Sequence, residues 1–132
     1  MKKIALLLCF LCSTAIFAQD EAIDVPQIGI KIPLGETVSM GDLYINFSEV
    51  IEDSRCPIGV TCIWAGRAKV KIEVSDDGMT VDHQILTFGE NSENIIFQVD
   101  GYRLKGMTLT PYPSADDGGE RDYSLLVFKE KI

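Results

Sequence analysis

The chain has 132 residues, 46% of them apolar, and carries 20 acidic against 12 basic side chains for a formal net charge of −8. That length suits one domain with a core of its own rather than a disulfide-dependent miniature. The acidic balance argues against nucleic acid or an anionic membrane surface as partner, and favours solubility.

Lys2 and Lys3 precede an apolar run over residues 4–12, and small and polar residues then lead to Ala18, so residues 1–18 read as a secretory leader. Ser13 and Thr14 interrupt the run well short of the roughly 20 apolar residues a spanning helix needs, and no transmembrane anchor is expected. Cleavage after Ala18 would leave Gln19 first; cleavage after Ala15 is the alternative. Cys12 offers a lipid-attachment alternative, but Phe10 and Leu11 stand where such a signal resembles small residues. Losing the leader removes two of the basic residues and no acid, which turns −8 into −10 and leaves 114 residues. Cys56 and Cys62 then remain as the mature pair, and an even count in an exported chain predicts a disulfide. The destination is the periplasm or the cell exterior.

Residues 19–26 are acidic and aperiodic, an exposed lead-in to a β domain over 27–132. Ile28, Ile30 and Ile32 alternate with Gly29 and Lys31, and Leu43, Ile45 and Phe47 alternate with Tyr44, Asn46 and Ser48, the pattern of half-buried strands. After the cysteines, Trp64, Ala68, Val70, Ile72 and Val74 share one parity and Arg67, Lys69, Lys71 and Glu73 the other. Asp77 and Gly78 mark a hairpin into a strand over 79–87, and Asp100 and Gly101 a second hairpin joining 95–99 to 102–110. A long connection over 111–122, rich in turn residues and carboxylates, should be solvent exposed. The last strand, over 123–128, has no polar alternation and should be central and buried on both faces.

Seven or eight short strands without a helical repeat predict a single antiparallel β-sandwich, with a small β-barrel as the alternative. Strand order is not legible. Two cysteines six apart do not make the immunoglobulin arrangement of distant cysteines around a tryptophan.

The distinctive stretch is Asp53-Ser54-Arg55-Cys56-Pro57-Ile58-Gly59-Val60-Thr61-Cys62-Ile63-Trp64-Ala65-Gly66, which holds the only tryptophan. A ring closed between the cysteines is preorganised further by Pro57, while Gly59 allows a turn. If the following strand begins at Cys62, parity points Trp64 inward as a cap on the core; the alternative puts it on a groove rim. Asp53 and Arg55, two apart, project from the same side of extended chain, which suits a salt bridge, or a guanidinium free to recognise a carboxylate. Asp53, Arg55, Ile58, Val60 and Trp64 are the candidate contact residues.

The pattern Asp-Ser-Arg-Cys-Pro, four residues, Cys, one residue, Trp-Ala-Gly resembles a signature of small exported bacterial proteins of unassigned function, with Gly41-Asp42-Leu43 and Pro111-Tyr112-Pro113 in keeping. The resemblance implies an all-β exported domain and carries no activity or catalytic residue.

Catalytic motifs are absent. A serine triad would need the single histidine, His83, as base; it has the parity of Val81 and Ile85 and reads as a buried or edge-strand residue satisfied by hydrogen bonding. Cysteine catalysis fails if both mature thiols are oxidised, and Cys56, Cys62 and His83 fall short of a zinc ligand set. Asp116, Asp117, Glu120 and Asp122 are weak calcium candidates whose spacing does not match an EF-hand; no other cofactor is implied. The leading expectation is a noncatalytic interaction or structural domain with a protein or carbohydrate partner. The alternatives are an extracellular protease inhibitor using the ring and, below it, a carbohydrate-active enzyme using paired carboxylates.

Overall fold

The computed structural model describes residues 28–79, 81–89 and 91–132. The leader, Cys9, Cys12 and the lead-in lie outside the described residues. Among the described residues there is no helix; eight strands run in chain order as β1 (Ile28–Pro33), β2 (Thr37–Met40), β3 (Leu43–Asp53), β4 (Ala68–Ser75), β5 (Val81–Phe88), β6 (Ile95–Val99), β7 (Tyr102–Thr110) and β8 (Ser124–Lys131). They form two four-stranded antiparallel sheets, ordered β1-β8-β7-β6 and β2-β3-β4-β5. Neither sheet closes on itself, so the fold is the sandwich and not the barrel.

Alternation explains the core. Leu43, Ile45 and Phe47 of β3 and Ala68, Val70, Ile72 and Val74 of β4 turn inward from one sheet; Ile32, Leu104, Leu109, Leu125 and Val127 meet them from the other. The last strand is central, between β1 and β7, but longer than expected. Leu125 and Val127 are buried on its inner face, whereas Leu126 and Phe128 on the outer face are partly exposed. Among the described residues no third layer covers that outer face, so its side chains are not completely buried.

The second hairpin is a two-residue turn, since Val99 pairs with Tyr102, and Gly101 supplies its positive φ. Around Asp77 and Gly78 the connection is longer, with Ser75 paired to Val81. His83 lies on the exposed face of β5, an edge strand, with Nδ1 3.4 Å from Glu73 Oε1. Val81 and Ile85 share that exposed face.

What simple alternation misses is in β3. Two register shifts, between Phe47 and Glu49 and between Val50 and Glu52, each reverse the parity of the residues beyond them. Ser48 bridges the first by donating its hydroxyl to the Lys71 carbonyl at 3.1 Å. The first reversal turns Val50 inward opposite Val70; the second leaves Ile51 exposed and restores the original parity, so Asp53 faces inward opposite Ala68 on the same parity as Phe47. A carboxylate is thereby placed at the end of the sandwich, where the cysteine segment begins.

Candidate functional site

The segment between β3 and β4 is a hairpin connection whose arms stay together beyond the regular ladder. Ser54 N–H donates to Arg67 O at 2.8 Å and Cys56 N–H to Ala65 O at 2.9 Å. The arms approach so closely that only glycine fits at residue 66: its φ is +69° and a Cβ would collide with the Ser54 carbonyl. Above this neck the Cys56–Cys62 disulfide closes the ring, with Cα atoms 5.9 Å apart.

The same neck corrects the inward placement of Trp64. Residues 62–67 are not strand; β4 starts at Ala68, and the turn through Gly66 breaks the parity that would have carried Trp64 to the core. Trp64 is 62% exposed and its neighbour Ile63 fully exposed. Ile58 and Val60 are exposed as well.

Beneath the ring lies its support. Arg55 is buried, 6% exposed, and its fork is fully engaged. Nε and Nη2 donate to the two oxygens of Asp53 at 2.8 and 2.9 Å; Nη1 donates to Leu109 O at 2.7 Å and Nη2 also to Pro111 O at 3.2 Å. The Tyr112 ring stacks over the guanidinium, 4.9 Å from its centroid. Asp53 Oδ2 also accepts the Tyr123 hydroxyl at 2.8 Å, and that hydroxyl accepts from Arg121 Nη1 at 3.2 Å. Arg121 in turn forks onto Asp117 through Nε at 2.6 Å and Nη2 at 3.2 Å. Asp117 fixes its own turn by accepting from Ser114 N–H and Gly119 N–H, both at 3.0 Å.

Burial alone would raise the Asp53 carboxyl, but the hydrogen bonds from Arg55 and Tyr123 and the Arg55 charge outweigh it and hold the group below its ordinary 3.8. Asp117 falls to about 2, held there by the Ser114 amide, Arg121 and the Gly119 amide. Burial and the bond to Asp53 raise the Tyr123 hydroxyl.

The 111–122 connection is therefore not simply exposed. Pro113 is fully buried, and Ile58 N–H donates to Pro113 O at 2.9 Å while Ala115 N–H donates to Ile58 O at 3.3 Å. This bridge seats the ring on the connection. Tyr112, half exposed, forms a ridge between two open clefts of about 370 and 470 Å³. Lys105, Asn94 and Thr87 stand in the first, Lys31, Asp122 and Arg121 in the second.

The candidate contact set thus divides. Asp53 and Arg55 face each other inside, while Ile58, Val60 and Trp64 stand on the surface with Ile63, which parity assigns to neither role. Asp116, Glu120 and Asp122 are exposed, Asp117 is committed to Arg121 and two backbone amides, and no group of three or more His, Cys, Asp or Glu side chains converges as a metal-ligand set among the described residues. Sequence reasoning misses Arg121 and Tyr123 because their partners are distant along the chain; no local pattern marks them.

Chemically the site is a rigid apolar projection on a charged base. Among the described residues the carboxylates with displaced proton affinity are Asp53, Asp117 and Glu130, and all are displaced downward, the opposite of what a proton-donating acid needs near neutral pH. Among the described residues no helix is long and apolar enough to cross a membrane. The intramolecular disulfide points to an oxidising, exported environment. Comparison with protein-family models, characterised proteins and solved structures found no match to this chain.

Proposed function

We propose that this is an exported, noncatalytic binding domain that inserts the tip of its disulfide ring into an apolar pocket on a partner protein. The observation that carries it is the exposure of Ile58 and Val60 within a ring that is closed covalently and seated by the Ile58 bridge, and of Ile63 and Trp64 in the two positions after the ring closes at Cys62. Large apolar side chains held out of the core lose burial unless something else covers them, and a preorganised loop loses little entropy on binding. Three of the four are aliphatic, which suits a protein pocket better than the flat face of a sugar.

As a protease inhibitor, the ring would have to present free backbone to a cleft. Ile58 has both backbone groups bonded to residues 113 and 115 and the Val60 N–H donates to Pro57 O at 3.2 Å, so residues 61–64 are the part that reading would use. A carbohydrate-active enzyme would need one carboxyl raised, and the displaced ones are lowered. Residues 1–18 as a leader fit delivery to the periplasm or the exterior, with lipid attachment at Cys12 as a variant.

The test is site-specific photo-crosslinking in the producing cell, with a photoreactive residue at Ile63 and, for comparison, at the exposed Met79. The reading expects one discrete protein adduct from position 63, suppressed by excess wild-type protein but not by the Ile63→Ser/Trp64→Ser variant. Equal adducts from both positions, or equal competition by that variant, would remove the ring from contention.

A further inference from the structure

β5 is the terminal strand of its sheet, and its eight residues pair with β4 without a bulge. In an antiparallel ladder, residues alternate between those that bond to the neighbour and those whose N–H and C=O point away. Thr87 fixes the phase. Its N–H donates to Asn94 Oδ1 at 3.0 Å and its carbonyl accepts from Asn94 Nδ2 at 2.9 Å, both on the side away from β4. Counting back by two, the backbone groups of Ile85, His83 and Val81 face that same open side, and their side chains stand exposed on one face.

The other sheet edges are less inviting. β2 has four residues; β6 has five, with a register shift between Ile95 and Phe97, and its Ile96 carbonyl accepts from Gln84 Nε2 at 3.0 Å. β1 ends in Pro33. An edge that is long, regular and apolar on its exposed face is a template for another strand.

We propose that a second copy of this chain pairs here, β5 against β5, antiparallel about a two-fold axis through His83. The register is set by the groups that each shift would bring together. With His83 on the axis, Val81 of one copy meets Ile85 of the other, and Asp82 meets Gln84, whose amide already donates to Asp82 Oδ2 of its own chain at 2.8 Å, so no like charges are set opposite each other. A shift by one residue that centres Asp82 sets two carboxylates opposite each other. The opposite shift, centring Gln84, requires Thr87, whose backbone Asn94 already occupies. The segment is therefore complementary to itself in one register, which is the requirement of a two-fold interface. Pairing Val81, His83 and Ile85 forms roughly six backbone hydrogen bonds. Glu73, beside His83 on β4, lies at the outer end of the same cross-strand row in each copy.

So short a contact falls below the roughly 1,200 Å² of a stable complex, so the dimer should form in the tens to hundreds of micromolar. Sedimentation velocity over roughly 5 to 500 μM brackets that range. The wild type should pass from monomer to dimer, and Val81→Lys with Ile85→Lys should stay monomeric at every concentration. Val81→Lys with Ile85→Glu should dimerise again, because the register sets the introduced lysine opposite the introduced glutamate. His83→Cys should give a disulfide-linked dimer, since a directly paired position separates Cα atoms by about 5.5 Å. Circular dichroism checks that each variant folds, as expected for exposed positions. A wild type monomeric throughout would overturn the proposal, as would a dimer indifferent to the double lysine, a lysine–glutamate variant no better than it, or failure of position 83 to cross-link.

Discussion

Replacing Arg55 by alanine should be the most damaging single change in the molecule outside the apolar core. The substitution removes the bidentate partner of Asp53 and the donors to the Leu109 and Pro111 carbonyls, in a place where the Arg55 and Asp53 side chains are only 4% and 5% exposed. Deleting one member of a buried pair leaves the other charged and unpartnered, which costs about 3–5 kcal/mol. Tyr123 and Arg121 remain near Asp53, at 2.8 and 3.9 Å, and offset part of that, so the lower half of the range is expected. For a domain of this size each kcal/mol lowers Tm by roughly 4–8 °C, so a fall on the order of 15 °C should accompany it. Urea unfolding of the wild type, Arg55→Ala, Asp53→Ala and the double variant measures both the cost and the coupling. The two losses should fall short of additive by at least about 1 kcal/mol, since each removes the same pair. Additive losses, or an Arg55→Ala cost below about 1 kcal/mol, would refute the assignment of Arg55 as the ring's internal support.

Three further outcomes are expected. Acid should weaken the fold as carboxylates held low are protonated: Asp117, at about 2 when folded and 3.8 ordinarily, gives up its contribution as pH falls through that interval, Asp53 does likewise below 3.8, and Asp117→Asn should flatten the pH dependence in unfolding titrations. Changing Cys56 and Cys62 to serine should cost about 2.4 kcal/mol, the closure entropy of a seven-residue loop, and open residues 59–64 to limited proteolysis while β3 and β4 stay protected. Trp64→Ala should alter stability by no more than about 0.5 kcal/mol, and acrylamide should quench the single tryptophan in the folded wild type nearly as well as in the unfolded chain; strong protection would place the ring against the core after all.

Much of the sandwich is legible in the sequence because its signals are local. The parity of Ala68, Val70, Ile72 and Val74, and the turn at Gly101, each depend on a few neighbouring residues. The ring is legible too, from the pair of cysteines that remains when residues 1–18 are read as a leader. Asp53 and Arg55 lie close enough in sequence for their pairing to be anticipated, but not its burial, because the carbonyls that enclose Arg55 belong to Leu109 and Pro111, more than fifty residues away; the two reversals of β3 that turn Val50 inward and Ile51 outward likewise have no marker in the alternation of 43–53. Trp64 misleads for a related reason: a parity rule holds only as far as the strand extends, and the neck at Gly66 ends it. Arg121, Tyr123 and the docking of Ile58 onto residues 113–115 join segments far apart along the chain, a consequence of strand order, which periodicity does not encode.

The account rests on a ring that is held still with its apolar side chains outward. Backbone ¹⁵N relaxation of the oxidised protein over residues 56–66 tests this most directly. Order parameters near the roughly 0.85 of rigid backbone are predicted for the ring as for β3 and β4; values below about 0.6 would contradict a preorganised binding tip.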